Sequence, residues 1–431
     1  MLKAGFSRLD ITPPLGADLS GYFSRRISDG ILDPLFVNTV SVNDGENTLI
    51  LMALDYIGVR LNYADKIRDH IAGRLGIPRE FVYVAALHQH TSPCLDDNRD
   101  TRLRDEAFKD VLIRRLGDSA VYASQDMKPA KLFAGSQTVS EPIAFVRRYF
   151  TESDGVQTNP RSKYVLTGRC AEADNTLRLI KFEVEGGGDI AILNFSTHPD
   201  VIGGNKFSAD WPGFARRFTE ELIPGVRAAF FTGCQGDSNH IDFFKPKDER
   251  FKGDGRYDHS RFMGRTVAEA AAVAWKNAEP VNGEKIFAKC AVLEHRTQRP
   301  SEEEYQKAKA WYADYEAGRL DYKPHITELG NAARIIALRD APESIPVPLA
   351  AVGIGNAVFA GFGGEAFTAY GKALRDGNPD KFVISTVCTD GYEGYIPTAD
   401  AFAQGGYEVQ SSHFSPPVQE EILNAFSEMI K

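Results

Sequence analysis

The sequence contains no block of five or more Lys or Arg residues, and 50 basic against 59 acidic side chains leave a formal charge of −9. The concentrated basic face that nucleic-acid binding needs is therefore missing. Cysteine is scarce and dispersed. Cys94, Cys170, Cys234, Cys290 and Cys388 are odd in number and form no Cys-x-x-Cys, which argues against a disulfide framework or a structural zinc knuckle and for a reduced, cytoplasmic chain. No run of about 18 uninterrupted apolar residues exists, so no transmembrane helix is expected. The start, Met1-Leu2-Lys3-Ala4-Gly5-Phe6, carries no apolar run of signal-peptide length. Gly-x-Ser-x-Gly, the mark of a serine-hydrolase elbow, is absent too; Gly236-Asp237-Ser238-Asn239 lacks the second glycine.

What is present is ordinary globular composition, 43% hydrophobic and 25% charged over 431 residues, enough for a large core. Phe36–Val42 and Thr48–Leu54 are β-prone runs around the turn Asn43-Asp44-Gly45. A second hairpin is expected at 176–185 and 189–195 through Gly186-Gly187-Gly188, and a third at 346–352 and 357–362. Helical periodicity marks 62–75, 105–124, 211–222, 260–275, 301–317, 331–338, 365–374 and 417–430. Hairpins mixed with strand–helix alternation predict an α/β fold, one large domain over 1–431 with a mixed sheet flanked by helices and the active site at strand ends. The charged stretch 244–259 and the stretch 300–330 read as insertions or lids, 96–104 as a polar loop, and no internal repeat is visible.

The chemistry gathers where buried strands end. Phe81-Val82-Tyr83-Val84-Ala85-Ala86-Leu87 runs into His88-Gln89-His90. In an extended chain residues i and i+2 share a face, so the two imidazoles suggest either a metal site or two hydrogen-bonded histidines in a turn. His198 follows another strand, Asp237-Ser238-Asn239 a third, Glu365 a fourth, and Tyr392 and Tyr395 a fifth. If these strands share one sheet and direction, the tips converge, and two or three imidazoles plus Glu365 would satisfy a zinc ion. Each residue has a plainer reading: His198 a satisfied turn histidine, Glu365 an acid at a helix start, Asp237-Ser238-Asn239 an ordinary turn, the tyrosines packing, Arg147-Arg148 a solvated edge.

Taken together, these motifs resemble the neutral/alkaline (non-lysosomal) ceramidase family, in its amidase domain and without the small β-sandwich that follows it there. The family's His-Thr-His-Ser-Gly-Pro is similar to His88-Gln89-His90-Thr91-Ser92-Pro93, and its Pro-Gly-Glu-Phe-Thr to Gly363-Gly364-Glu365-Ala366-Phe367-Thr368. Asn194-Phe195-Ser196-Thr197-His198 matches the second histidine motif. Tyr395 and Tyr407 reproduce a pair of tyrosines spaced by twelve. Asp10-Ile11-Thr12-Pro13 and Gly21-Tyr22 resemble the family's opening.

The resemblance implies Zn2+ held by His88, His198, Glu365 and Tyr395. It implies catalysis by His90, Tyr407 and Arg147, with Asp237, Ser238 and Asn239 contacting substrate. The activity it implies is hydrolysis of an N-acyl amide by metal-activated water, on a small-molecule or lipid substrate. Two alternatives stay open: the same site cleaving a small soluble ester, lactone or N-acyl sugar or amino acid, and a non-catalytic ligand-binding protein on the same fold.

Overall fold

The first hairpin forms as its turn chemistry dictates, Phe36–Asn43 pairing antiparallel with Thr48–Leu54. The computed structural model describes residues 1–22, 24–96, 105–153, 155–324 and 326–431, with the backbone alone at 326 and 327. After the hairpin the Leu61–Leu75 helix crosses over, and Gly76, at φ 65°, takes the left-handed position that ends it. The Val82–Ala86 strand then pairs parallel with Thr48–Leu54. This unit, a hairpin, a crossover helix and a parallel strand, recurs twice. Thr176–Val184, Ile190–Phe195, the Asp210–Leu222 helix and Arg227–Thr232 form the second. Ser344–Ile354, Ala357–Phe362, the Thr368–Asp376 helix and Phe382–Thr386 form the third.

The first two units lie at opposite ends of a nine-stranded mixed sheet whose middle is Lys128–Thr138 and Lys3–Asp10. The third builds a separate four-stranded sheet with Ile286–Arg296. The expected mixed sheet flanked by helices is the nine-stranded one, with the four-stranded sheet beside it, and the repeat missed in the sequence is one of topology. The sequence hides it because each copy needs only buried apolar strands, which many different residues supply.

Those strands are buried on both faces. Ile50, Met52 and Leu54 point into one core, Leu49, Leu51 and Ala53 into the other. Truncating fully buried Leu51 to Ala costs about 2–5 kcal/mol.

The parallel strands end together. The Thr232 hydroxyl donates to Leu87 O (2.8 Å), Val387 N–H to Thr232 O (3.0 Å) and Ala86 N–H to Cys388 O (3.1 Å). An antiparallel bridge from Ala85 to Thr389 ties the two sheets. All three units therefore deliver their trailing residues to one place.

The loop expected at 96–104 lies, from 97 on, outside the described residues. Within 244–259 the chain makes a turn at Lys247–Glu249, but Arg256 already starts the next helix, which runs to Lys276 and buries His259. Ser301 opens the mostly exposed Glu302–Glu316 helix with the predicted capping box. The helix expected from Glu365 starts at Thr368, because Glu365–Ala366 pairs as a short parallel strand with Tyr395–Ile396.

Candidate metal centre and active site

His88 leaves its strand with the backbone turned. Leu87 N–H donates to Leu54 O and His88 N–H to Tyr56 O, each at 2.9 Å. His88 itself sits at φ 74°, a left-handed conformation that costs a non-glycine residue about 1–3 kcal/mol and needs a surrounding structure that enforces it. The expectation that His88 and His90 share a face of extended chain is therefore wrong. A turn brings them together instead, ring centroids 5.0 Å apart and nearly perpendicular. His90 N–H is held by Pro199 O at 3.1 Å. Gly21, at φ 105°, packs so close that a Cβ there would stand 2.6 Å from His90 Nδ1.

His198 follows the Ile190–Phe195 strand of the second unit, and Glu365 the Ala357–Phe362 strand of the third. His88 Nε2 lies 3.2 Å and His198 Nε2 3.1 Å from the same atom, Glu365 Oε2. The opposite ring nitrogens are taken by carbonyls: His88 Nδ1 donates to Ile57 O (2.9 Å), His198 Nδ1 to Gln235 O (3.0 Å) and Ser238 O (2.9 Å). Those bonds make each Nδ1 a donor and aim both Nε2 atoms at the carboxylate. The Tyr392 hydroxyl donates to Glu365 Oε1 at 3.3 Å. Because Glu365 and Tyr395 are direct register partners, Tyr395 stands beside the carboxylate.

Two imidazole nitrogens and a carboxylate oxygen converge in one buried place, where either a proton on Nε2 or a cation between them balances the carboxylate. Burial alone would lower the His88 imidazole, but the Glu365 carboxylate holds it well above its usual range. Burial and Arg147 push His198 down to about 4. Burial would raise Glu365, yet His88 and His198 hold it well below the ordinary carboxylate range. This donor set fits a metal ion: two imidazoles oriented by carbonyls, a carboxylate and a neighbouring phenol. His88, His90 and His198 together also form a buried group with ligand atoms within 4.8 Å of one another. Burial, with His88 and His198 beside it, keeps His90 well below its normal range, and among the described residues both its ring nitrogens lack a hydrogen-bond partner.

Arg147 and Arg148 are not a solvated edge; they are 5% and 1% exposed. Arg147 Nε donates to Glu408 Oε1 and Nη2 to Gly236 O, both at 2.8 Å. Its guanidinium stands 5.3 Å from the Tyr395 ring centre. Tyr407 packs edge-on against Tyr395, centroids 5.8 Å apart. Asp237 turns away, accepting from Thr368 N–H (2.7 Å) and Oγ1 (2.8 Å). Ser238 is buried, with its hydroxyl near Ser196 O. Of the three, Asn239 lines a cavity of about 650 Å³, whose wall also includes Tyr22, Asp200, His240 and Arg256.

No protein-family model and no curated protein sequence matches the chain. Solved structures do. A neutral ceramidase from Pseudomonas aeruginosa superposes with a TM-score of 0.76 at 18% identity, over 100% of this chain and 74% of that one. A structure described as a ceramidase complexed with C2 gives 0.75 at 16% identity with the same coverage. The fold is that of the neutral ceramidases.

On this neutral ceramidase fold three contributors escape sequence reading. The Tyr22 hydroxyl makes a short hydrogen bond to Asp200 Oδ1, and that oxygen lies 3.6 Å from His90 Nδ1. Glu408, fully buried, binds both Arg147 and Arg148. Asp200, two residues beyond His198 in His198-Pro199-Asp200, and Tyr22, in the Gly21-Tyr22 opening, carried a readable signal; Glu408 carried none, because its partner Arg147 is 261 residues away. Among the described residues no helix is long and apolar enough to cross a membrane.

Proposed function

We propose that the chain is a zinc-dependent hydrolase of an N-acyl amide bond, with the whole of 1–431 as its domain. The observation that carries this reading is the sharing of one Glu365 oxygen by His88 Nε2 and His198 Nε2. Support comes from the likeness to solved ceramidase structures. His88, His198, Glu365 and Tyr395 would hold the ion. Bound zinc lowers the pKa of a coordinated water toward neutrality and polarises a carbonyl.

The other roles belong to side chains. His90, buried and with both ring nitrogens unpartnered among the described residues, accepts a proton from the attacking water and passes one to the departing nitrogen. Its low proton affinity keeps it neutral, the form a base needs. Asp200 places a carboxyl oxygen 3.6 Å from His90 Nδ1. Tyr407 and the fixed Arg147 guanidinium stabilise negative charge on the carbonyl oxygen; donors preset in a dry site need no reorganisation as charge develops. Asp237 and Ser238 shape the loop that holds His198 and the start of the Thr368 helix, and Asn239 faces substrate. The 244–259 and 300–330 stretches are read as lids on the domain. Arg256 and Tyr257 line the cavity, and the Ile326–Arg339 helix packs against the short helix that begins at Tyr407.

A second ligand set, His88, His90 and His198, is favoured by the closeness of the three imidazoles. His90→Ala separates the two. Metal retained with activity lost assigns His90 to proton transfer; metal lost assigns it to the ion. Elemental analysis and a screen of N-acyl amides of graded chain length test the whole reading. A metal-free wild type with no amidase activity contradicts it.

A further inference from the structure

The cavity of about 650 Å³ shares Tyr22 and Asp200 with the surroundings of His90. Two of its residues are unspent. His240 is 4% exposed, yet among the described residues neither ring nitrogen has a hydrogen-bond partner. An imidazole buried in that state is destabilising unless a ligand or a water meets it. Arg256 stands on the same wall. Its Nη1 donates to Val201 O at 3.3 Å, and no described carboxylate lies within ion-pair reach. Asp200, on the same wall, is held by the Tyr22 hydroxyl, and Asp33 and Asp242 pair with Arg217 (3.0 Å) and Arg169 (2.6 Å). Arg26 also stacks over Tyr22, 4.2 Å from its ring centre, and donates to the carbonyls of Ser20, His90 and Gly204. Asp200, tied to the Tyr22 hydroxyl, is thus one carboxyl beside two guanidiniums, so the mouth favours an added negative charge.

We propose that this cavity binds the polar end of the substrate, and that the substrate is an N-acyl compound bearing a carboxylate, of the N-acyl amino acid class. The carboxylate pairs with Arg256, and His240 and Asn239 take the hydrogen-bonding groups beside it. This rests on the hydrolase reading above. In the reaction water adds to the amide carbonyl, the C–N bond breaks, and the nitrogen leaves protonated, so N-lauroylglycine and water give laurate and glycine.

The test uses two probes with the same acyl chain and amide. N-lauroylglycine ends in a carboxylate, N-lauroylethanolamine in a hydroxyl. Binding of each to the full chain is measured by calorimetry and cleavage by released amine. The expected result is at least tenfold tighter binding of N-lauroylglycine, with Arg256→Gln shrinking that ratio about tenfold. His240→Phe keeps the ring and removes both nitrogens, and should weaken both probes severalfold. Equal affinities in the wild type, or a ratio indifferent to Arg256→Gln, overturn the proposal. Cleavage separates it from the reading beneath. Arg256-dependent binding without cleavage by the zinc-loaded chain leaves the anion pocket standing and removes the hydrolase. Cleavage of the ethanolamide with no preference for the glycine does the reverse.

Discussion

His198 Nε2 and Glu365 Oε2 stand 3.1 Å apart although they trail strands of different sheets. His88 meets the same oxygen from the first unit. Each of the three repeated units therefore contributes one donor from the end of its parallel strands. The centre is a consequence of topology: three strand ends stitched together leave no other place for their trailing residues. The candidate ligand Tyr395 joins through its register with Glu365.

The two histidines of the His-x-His motif should separate in experiment. His88→Ala removes a donor from the shared carboxylate and should lose metal and activity together. His90→Ala should keep the metal and lower kcat by about 10²–10⁴, the usual worth of a positioned proton-transfer group. Metal content and kcat of both variants decide it; equal metal loss in both contradicts the division.

Glu408→Ala should be severely destabilising. Glu408 is fully buried and lies 2.8 Å from Arg147 and 3.6 Å from Arg148, and it accepts from Thr158 Oγ1 at 2.7 Å. Removing it leaves two buried guanidiniums without their carboxylate, a loss of about 3–5 kcal/mol. Urea unfolding measures this, and a change below about 1 kcal/mol would show that other groups hold the pair.

Acid should unfold the chain partly through His259. Burial pushes its imidazole down to about 4, and its Nδ1 accepts from Lys252 N–H at 3.1 Å, a bond that protonation removes. With the folded value below the ordinary 6.5, the stabilisation is complete above about pH 6.5 and is lost as pH falls through about 4. The difference is worth about 3 kcal/mol. His259→Gln keeps an acceptor without a titrating ring, so between pH 7 and pH 4 it should lose about that much less stability than the wild type. Parallel stability–pH curves for the two would contradict the assignment. Glu141, Lys252 and His240 face the same ring and are unchanged in the comparison.

Local chemistry made much of this legible. Asn43-Asp44-Gly45, Gly186-Gly187-Gly188 and the Ser301 capping box each act within a few residues, and their elements stand where expected. So do the buried strands whose ends carry His88, His198 and Glu365. What was not legible depends on distant contacts. The left-handed turn at His88 is enforced by Tyr56 and Ile57. Glu365 lies in a strand and not a helix because Tyr395, thirty residues on, offers a pairing edge. Arg147 and Arg148 look like surface residues until Glu408 is placed beside them. The threefold unit is invisible because apolar strands of many compositions satisfy the same burial.

The most direct measurement is the metal content of the purified, dialysed chain beside that of His88→Ala, each assayed for N-acyl amide hydrolysis. The account predicts about one zinc per wild-type chain, with metal and activity both absent in the variant. A His88→Ala protein that is folded, metal-free and fully active would contradict it.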